Sequence, residues 1–268
     1  MVLARESPGA RHERDPGRHR TLRLDDVGDG AGIPVVYLHG GGDSRFSRHP
    51  DDRIAASLGV RLLAVDRCGP AVAHRDLLSF SDELIATLDD RGVGRFGLVG
   101  WSAGGPHALA VAAVAPERVT RVALVASMPV PDGVGALPAP VRTAMRLARI
   151  SPRLAARGLE RWGRSATPPT GAPETDDAYA RGRIESFSDG GEWLALELAY
   201  LGRPWGFGLA DVRAPVSLWW GDADRVTPPS IATDFERRLP HAEPHLVDGT
   251  HQLLFTRWRE ILADAARP

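Results

Sequence analysis

The chain has 268 residues, 43% of them hydrophobic, which is enough for one ordinary globular core with room for an inserted subdomain. Its 34 acidic and 33 basic side chains nearly cancel, so no basic field points to nucleic acid or to an anionic membrane. Every cation is an arginine, which excludes a Schiff-base lysine and the lysine of a phosphate-binding P-loop; the single Cys68 excludes an internal disulfide and a multi-cysteine metal site.

Residues 1–20, polar from Arg5 to Arg20, read by composition as a disordered tail with no apolar signal segment. No stretch approaches transmembrane length, and a cytoplasmic location is the expectation. Residues 21–26 alternate as an edge strand does, before a turn cluster at Gly28, Gly30 and Gly32. Residues 34–38 and 61–66 are short apolar runs of the kind buried in a parallel sheet, with a helical stretch near 51–58 between them. Helical periodicity covers 81–88, with Ser81 in the capping place. Strands follow at 96–99, 119–126, 215–220 and 244–248, and a last helix runs to about residue 265. Strands alternating with helices predict a doubly wound, mostly parallel α/β sheet covered on both faces.

One region breaks the rhythm. Residues 131–203 form an arginine-rich region with no convincing strand but four helical segments, at 140–150, 153–162, 176–187 and 192–201, punctuated by proline and glycine. This predicts a helical cap inserted into a core made of residues 21–130 and 204–268. Its aromatics Tyr179, Phe187, Trp193 and Tyr200 either line an apolar pocket or pack the cap itself.

The densest chemical signal is Gly100-Trp101-Ser102-Ala103-Gly104-Gly105-Pro106, between an apolar strand and an Ala-rich helix. A serine on so sharp a strand-to-helix turn has its hydroxyl exposed at the sheet edge, and flanking glycines avoid collision across the bend. A nucleophilic serine needs a base, and the base needs a carboxylate to fix its tautomer. Two late loops supply them: Gly221-Asp222-Ala223-Asp224, in which either carboxylate can orient an imidazole, and Asp248-Gly249-Thr250-His251. His107 reads as a hydrogen-bonding helix residue rather than a second base, and His241 and His245 as surface or strand residues. Cys68 reads as a small packing residue. Trp101 lines a substrate pocket or belongs to the core.

Taken together, His39-Gly40-Gly41, Asp66-Arg67-Cys68-Gly69, the Ser102 elbow, Gly221-x-x-Asp224-x-Val226-x-Pro228 and Gly249-Thr250-His251 resemble the serine-dependent members of the α/β-hydrolase fold family. The resemblance runs from His39 to His251. It implies Ser102 as nucleophile, His251 as base and Asp224, rather than Asp222, as acid. The oxyanion hole is then expected from the Ala103 and Gly41 N–H groups, and Trp101, beside the nucleophile, is the candidate substrate-binding residue. A serine in place of the aspartate of dehalogenases and epoxide hydrolases of this fold implies attack on an acyl carbon. The implied activity is cofactor-free and metal-free hydrolysis of a small ester, lactone, thioester or activated ketone. The alternatives are C–C bond hydrolysis, lyase or perhydrolase chemistry with the same triad, or ligand binding with vestigial turnover. The loop after Arg67 departs from the family pattern, and the Gly-Gly-Ser-Trp-Gly elbow of proline iminopeptidases is absent.

Overall fold

A computed structural model describes residues 22–67, 76–165 and 169–268. The expectations for the 1–20 tail and for Cys68 lie outside the described residues. In chain order the strands are β1 (Leu24–Gly28), β2 (Ile33–Leu38), β3 (Val60–Val65), β4 (Phe96–Trp101), β5 (Val119–Val125), β6 (Val216–Gly221) and β7 (Ala242–Val247). The helices of the core are α1 (Arg53–Ser57), α2 (Leu77–Asp89), α3 (Gly104–Val114), α8 (Ser230–Arg238), α9 (Leu253–Thr256) and α10 (Trp258–Ala265). Between β5 and β6 lie α4 (Ala139–Ile150), α5 (Pro152–Gly163), α6 (Pro173–Ser186) and α7 (Glu192–Leu201), with no strand among the described residues there.

The seven strands form one sheet in the order β1-β3-β2-β4-β5-β6-β7. Only β1 runs antiparallel, at one edge against β3. Strands β4 and β6 are buried along their whole length, which is why they read as continuous apolar runs. The edge strand β7 alternates between half-buried and exposed positions.

Two cores sandwich the sheet. On one face Val36, Leu63, Leu98, Val122 and Leu218 meet α2, α3 and α8 through Phe80, Leu84, Leu109, Ile231 and Phe235. On the other, Val35, Leu62, Val99 and Val125 meet Ala55 of α1 and Ile261, Leu262 and Ala265 of α10. Among the described residues no helix is long and apolar enough to cross a membrane.

Two local expectations need correction. Helix α2 begins earlier than residue 81: Asp76 caps it by accepting from the Ser79 N–H at 2.8 Å, while Ser81 lies inside and donates to the Leu77 carbonyl. The start moves because Leu77 and Phe80 extend the buried face by a turn. The last helix is two, broken at Arg257, and Trp258 beyond the break stands edge-on to the Tyr37 ring at 5.5 Å.

The register decides what meets at the carboxyl end of the sheet. Leu38 pairs with Gly100, Trp101 with Val125, and Gly221 with Val247. The loops that follow β2, β4, β6 and β7 therefore emerge side by side, where doubly wound sheets place their ligands.

Candidate active site

Ser102 follows the last residue of β4 and takes φ +52°, a left-handed backbone that a non-glycine residue holds only when its surroundings impose it. Hydrogen bonds supply the constraint. Its N–H donates to the Val125 carbonyl at 2.9 Å, and its own carbonyl accepts from Gly105 at 3.1 Å and Met128 at 3.0 Å. Helix α3 starts immediately afterwards and crosses so close to β2 that a Cβ on Gly104 would overlap the Leu38 carbonyl oxygen. Gly104→Ala is expected to destabilise the fold by at least the ~1–3 kcal/mol of an overpacked core, read as a fall in Tm. An unchanged Tm would mean that the elbow relaxes freely.

The three side chains named from the sequence converge. His251 Nε2 lies 3.1 Å from Ser102 Oγ, and His251 Nδ1 lies 2.9 Å from Asp224 Oδ2. Asp224 is 4% exposed, and every lone-pair direction is used. Its Oδ1 accepts from the Val226 N–H at 2.7 Å and the Thr227 N–H at 2.9 Å. Oδ2 lies 2.8 Å from the Thr227 hydroxyl, whose single proton is shared between this carboxylate and the Ala126 carbonyl at 2.9 Å. Burial pushes the Asp224 carboxyl up, but the hydrogen bond and charge of His251 and the Thr227 donors outweigh it, so its pKa is lowered. Asp222 is exposed and turned away, accepting instead from the Gly249 N–H at 3.2 Å.

Gly41 sits beside the elbow. A Cβ placed on it would lie 3.3 Å from the Ala103 Cβ, 3.3 Å from Leu194 Cδ1 and 3.5 Å from Glu197 Oε2. The backbone N–H groups of Gly41 and Ala103 thus belong to adjoining segments next to Ser102. Trp101 is 1% exposed; its indole N–H donates to the His251 carbonyl at 3.0 Å and its ring lies 5.7 Å from the imidazole. This placement is that of a support beneath His251, flanked by Tyr179 and Phe255.

Residues outside the triad hold the glycine loop and the start of α3. Arg67, fully buried, donates from Nε to the His39 carbonyl and from Nη2 to the Gly40 carbonyl, both at 2.9 Å. Its backbone N–H donates to His39 Nε2 at 3.1 Å while His39 Nδ1 donates to the Gly40 carbonyl at 2.8 Å, which fixes a neutral tautomer. Burial, then the Arg67 charge, holds the His39 pKa well below its ordinary value. The Arg67 guanidinium is paired with Glu197 of α7. His107 of α3 donates from Nδ1 to the Ala103 carbonyl at 2.8 Å and accepts at Nε2 from the Tyr200 hydroxyl of α7 at 2.8 Å. Helix α7 is therefore bound to both segments that flank the serine. His245 stacks on Trp219 at 4.4 Å in the sheet, remote from these groups.

Asp43 closes the loop, buried beside Gly40. Burial raises its pKa to about 7 against the opposing Arg183 and Arg67 charges and a hydrogen bond from Ser47. A carboxyl raised in the folded state retains a proton that the unfolded chain has lost, so its contribution to stability declines between about pH 4 and pH 7. Asp43→Asn is expected to gain in Tm relative to the parent protein as pH rises across that window. A difference in Tm that does not change with pH would contradict this.

The chain matches the family model of the alpha/beta hydrolase fold over residues 33–257. It is 28% identical over 247 residues, 84% of its length, to the dihydrolipoyllysine-residue acetyltransferase component of the acetoin cleaving system of Pseudomonas putida. It is 36% identical over 113 residues, 41% of its length, to the pimeloyl-[acyl-carrier protein] methyl ester esterase of Nitrosomonas europaea. These matches span 60% and 42% of the two relatives' own lengths. Among solved structures, an esterase from Rhodococcus sp. ECU1013 superposes with a TM-score of 0.66 at 24% identity, covering 90% of this chain and 96% of that one. With most of its length matched in the expected strand and helix order, the chain belongs to the α/β hydrolase fold family.

Proposed function

We propose that this protein is a serine hydrolase that cleaves a small carboxylic ester or thioester through an acyl-enzyme. The carrying observation is the relay of 3.1 Å from Ser102 Oγ to His251 Nε2 and 2.9 Å from His251 Nδ1 to a buried, low-pKa Asp224. Asp224 accepts a hydrogen bond from the Nδ1–H, which keeps the proton on Nδ1 and leaves the Nε2 lone pair toward Ser102. His251 takes the serine proton as Oγ attacks the carbonyl carbon, then returns it to the departing alcohol or thiol. The N–H groups of Gly41 and of Ala103, the latter at the start of α3, receive the oxyanion. Water, deprotonated by the same histidine, then releases the acid.

The names of the two relatives support acyl chemistry, one being an acyl transferase and the other a methyl ester esterase. In this reading residues 131–203 are a cap over the site. Support comes from Leu194 and Glu197 beside Gly41, Phe187 beside Gly42, and Tyr179 against Trp101. Such a cover excludes water and shapes the acyl pocket. The reading is tested with p-nitrophenyl acetate and a short acyl thioester. Wild-type turnover that disappears in Ser102→Ala supports it; absence of hydrolysis by the wild type on both, with folding intact, overturns it.

A further inference from the structure

Helix α7 carries a charged residue where its neighbours are apolar. Glu197 stands among Leu194, Ala195, Leu198 and Ala199 and is 3% exposed. One oxygen, Oε1, is taken by Arg67. The other, Oε2, has no hydrogen-bond partner among the described residues. Buried acceptors are nearly always paired, and a carboxylate oxygen is among the strongest of them. Oε2 lies 3.5 Å from the Cβ position of Gly41, whose own neighbour there is Ala103 at 3.3 Å. The unpaired oxygen therefore lies buried against the glycine loop, next to the segments whose two N–H groups are assigned to the oxyanion.

We infer that Glu197 is a substrate-binding residue selecting acyl groups that carry a neutral hydrogen-bond donor, a hydroxyl or an amide N–H, two or three bonds from the reacting carbonyl carbon. This rests on the serine hydrolase reading and names its substrate class. The distance supports the position: a carbonyl oxygen held by the Gly41 N–H leaves its acyl substituents as the nearest groups to Oε2. The charge supports a neutral donor. Arg67 already compensates Glu197, so an ammonium would add an uncompensated cation to a buried site, whereas a hydroxyl adds none. The same pairing with Arg67 offsets the repulsion that a lone carboxylate would exert on a developing oxyanion. An acyl group with a methyl in place of the hydroxyl leaves Oε2 desolvated and unpaired, which is the basis of discrimination between near-isosteres.

The experiment compares kcat/KM for matched pairs of phenyl esters, 2-hydroxybutanoyl against 2-methylbutanoyl and 3-hydroxybutanoyl against 3-methylbutanoyl, with Ser102→Ala as blank. The wild type is expected to prefer the hydroxylated member of at least one pair by about 10- to 100-fold, the range for a hydrogen bond to a charged group. In Glu197→Gln the amide oxygen still faces Arg67 and an NH₂ replaces Oε2, so the preference should collapse or pass to the ester lacking a donor. The wild-type ratio needs no variant, so misfolding of Glu197→Gln does not remove the test. Equal wild-type rates within both pairs overturn the inference and leave the hydrolase reading intact, as when a water alone satisfies Oε2. A preference that survives in folded Glu197→Gln also overturns it. Failure of the wild type on all four esters overturns the hydrolase reading itself.

Discussion

Ser102→Ala is expected to lower kcat/KM for ester hydrolysis by about a millionfold, and His251→Ala by a similar amount, because residues that act as one unit fail together. The double variant should be little worse than either single one. Asp224→Asn is expected to cost about ten-thousandfold: its amide presents a donor or a neutral acceptor to Nδ1 and no longer stabilises the imidazolium. The Asp222→Ala comparison separates the two carboxylates of one loop. Asp222 is exposed and bonded to the Gly249 N–H, so its removal should leave turnover nearly unchanged. Steady-state kinetics on proteins of matched circular dichroism check all five variants; a larger loss in Asp222→Ala than in Asp224→Asn would overturn Asp224 as the acid.

The second large effect is expected at Gly41. A backbone donor cannot be removed by substitution, but its loop can be displaced. A Cβ there meets Ala103 and Leu194 at 3.3 Å, a tight contact that needs a few tenths of an ångström of movement. The branched side chain of Gly41→Val demands more, against an α7 that Arg67 and His107 hold in place. The N–H is then carried away from the oxyanion, and kcat should fall by about 10²–10³ with KM less affected. Gly41→Ala should fall between Gly41→Val and the wild type. Unchanged kcat in a folded Gly41→Val would move the second donor elsewhere, with Gly42 the next position on the loop.

Much of this arrangement is legible in the amino-acid sequence because it is encoded locally. Buried parallel strands are apolar along most of their length, so β2 and β4 stand out as apolar runs, and β5 and β6 do so with only Thr120, Arg121 and Ser217 interrupting. The elbow is legible for the same reason: Gly100 is dictated by the close approach of Gly104, Gly105 and Ala108 across the bend, a constraint contained within a few residues, whereas the crowding of Gly104 against Leu38 of β2 is not local. The edges of helices are weaker signals. Asp76 caps α2 through a capping box with Ser79, a pattern overshadowed by the acidic turn of Ser81, Asp82 and Glu83 that follows.

What stays hidden in the sequence depends on pairing across the fold. Arg67 and Glu197 are 130 positions apart, and His107 and Tyr200 are 93 apart, so nothing local announces either partnership. One trace is present: a single acid on the buried side of the apolar stretch Glu192–Leu201 is costly unless it is paired. Trp101 is open to two readings because alternate residues of a strand face opposite sides and its neighbours are buried on both. The hydrogen bond from its indole to the His251 carbonyl, 150 residues away, places it beneath the imidazole.

The central claim is that Ser102 is an activated nucleophile, and covalent labelling tests it without knowledge of the substrate. A fluorophosphonate incubated with the protein should give one adduct by intact mass, mapped by peptide sequencing to Ser102. Ser102→Ala should give none, and labelling of His251→Ala should be slowed by several orders of magnitude. No adduct on the folded wild type, or an adduct that persists in Ser102→Ala, would contradict the account.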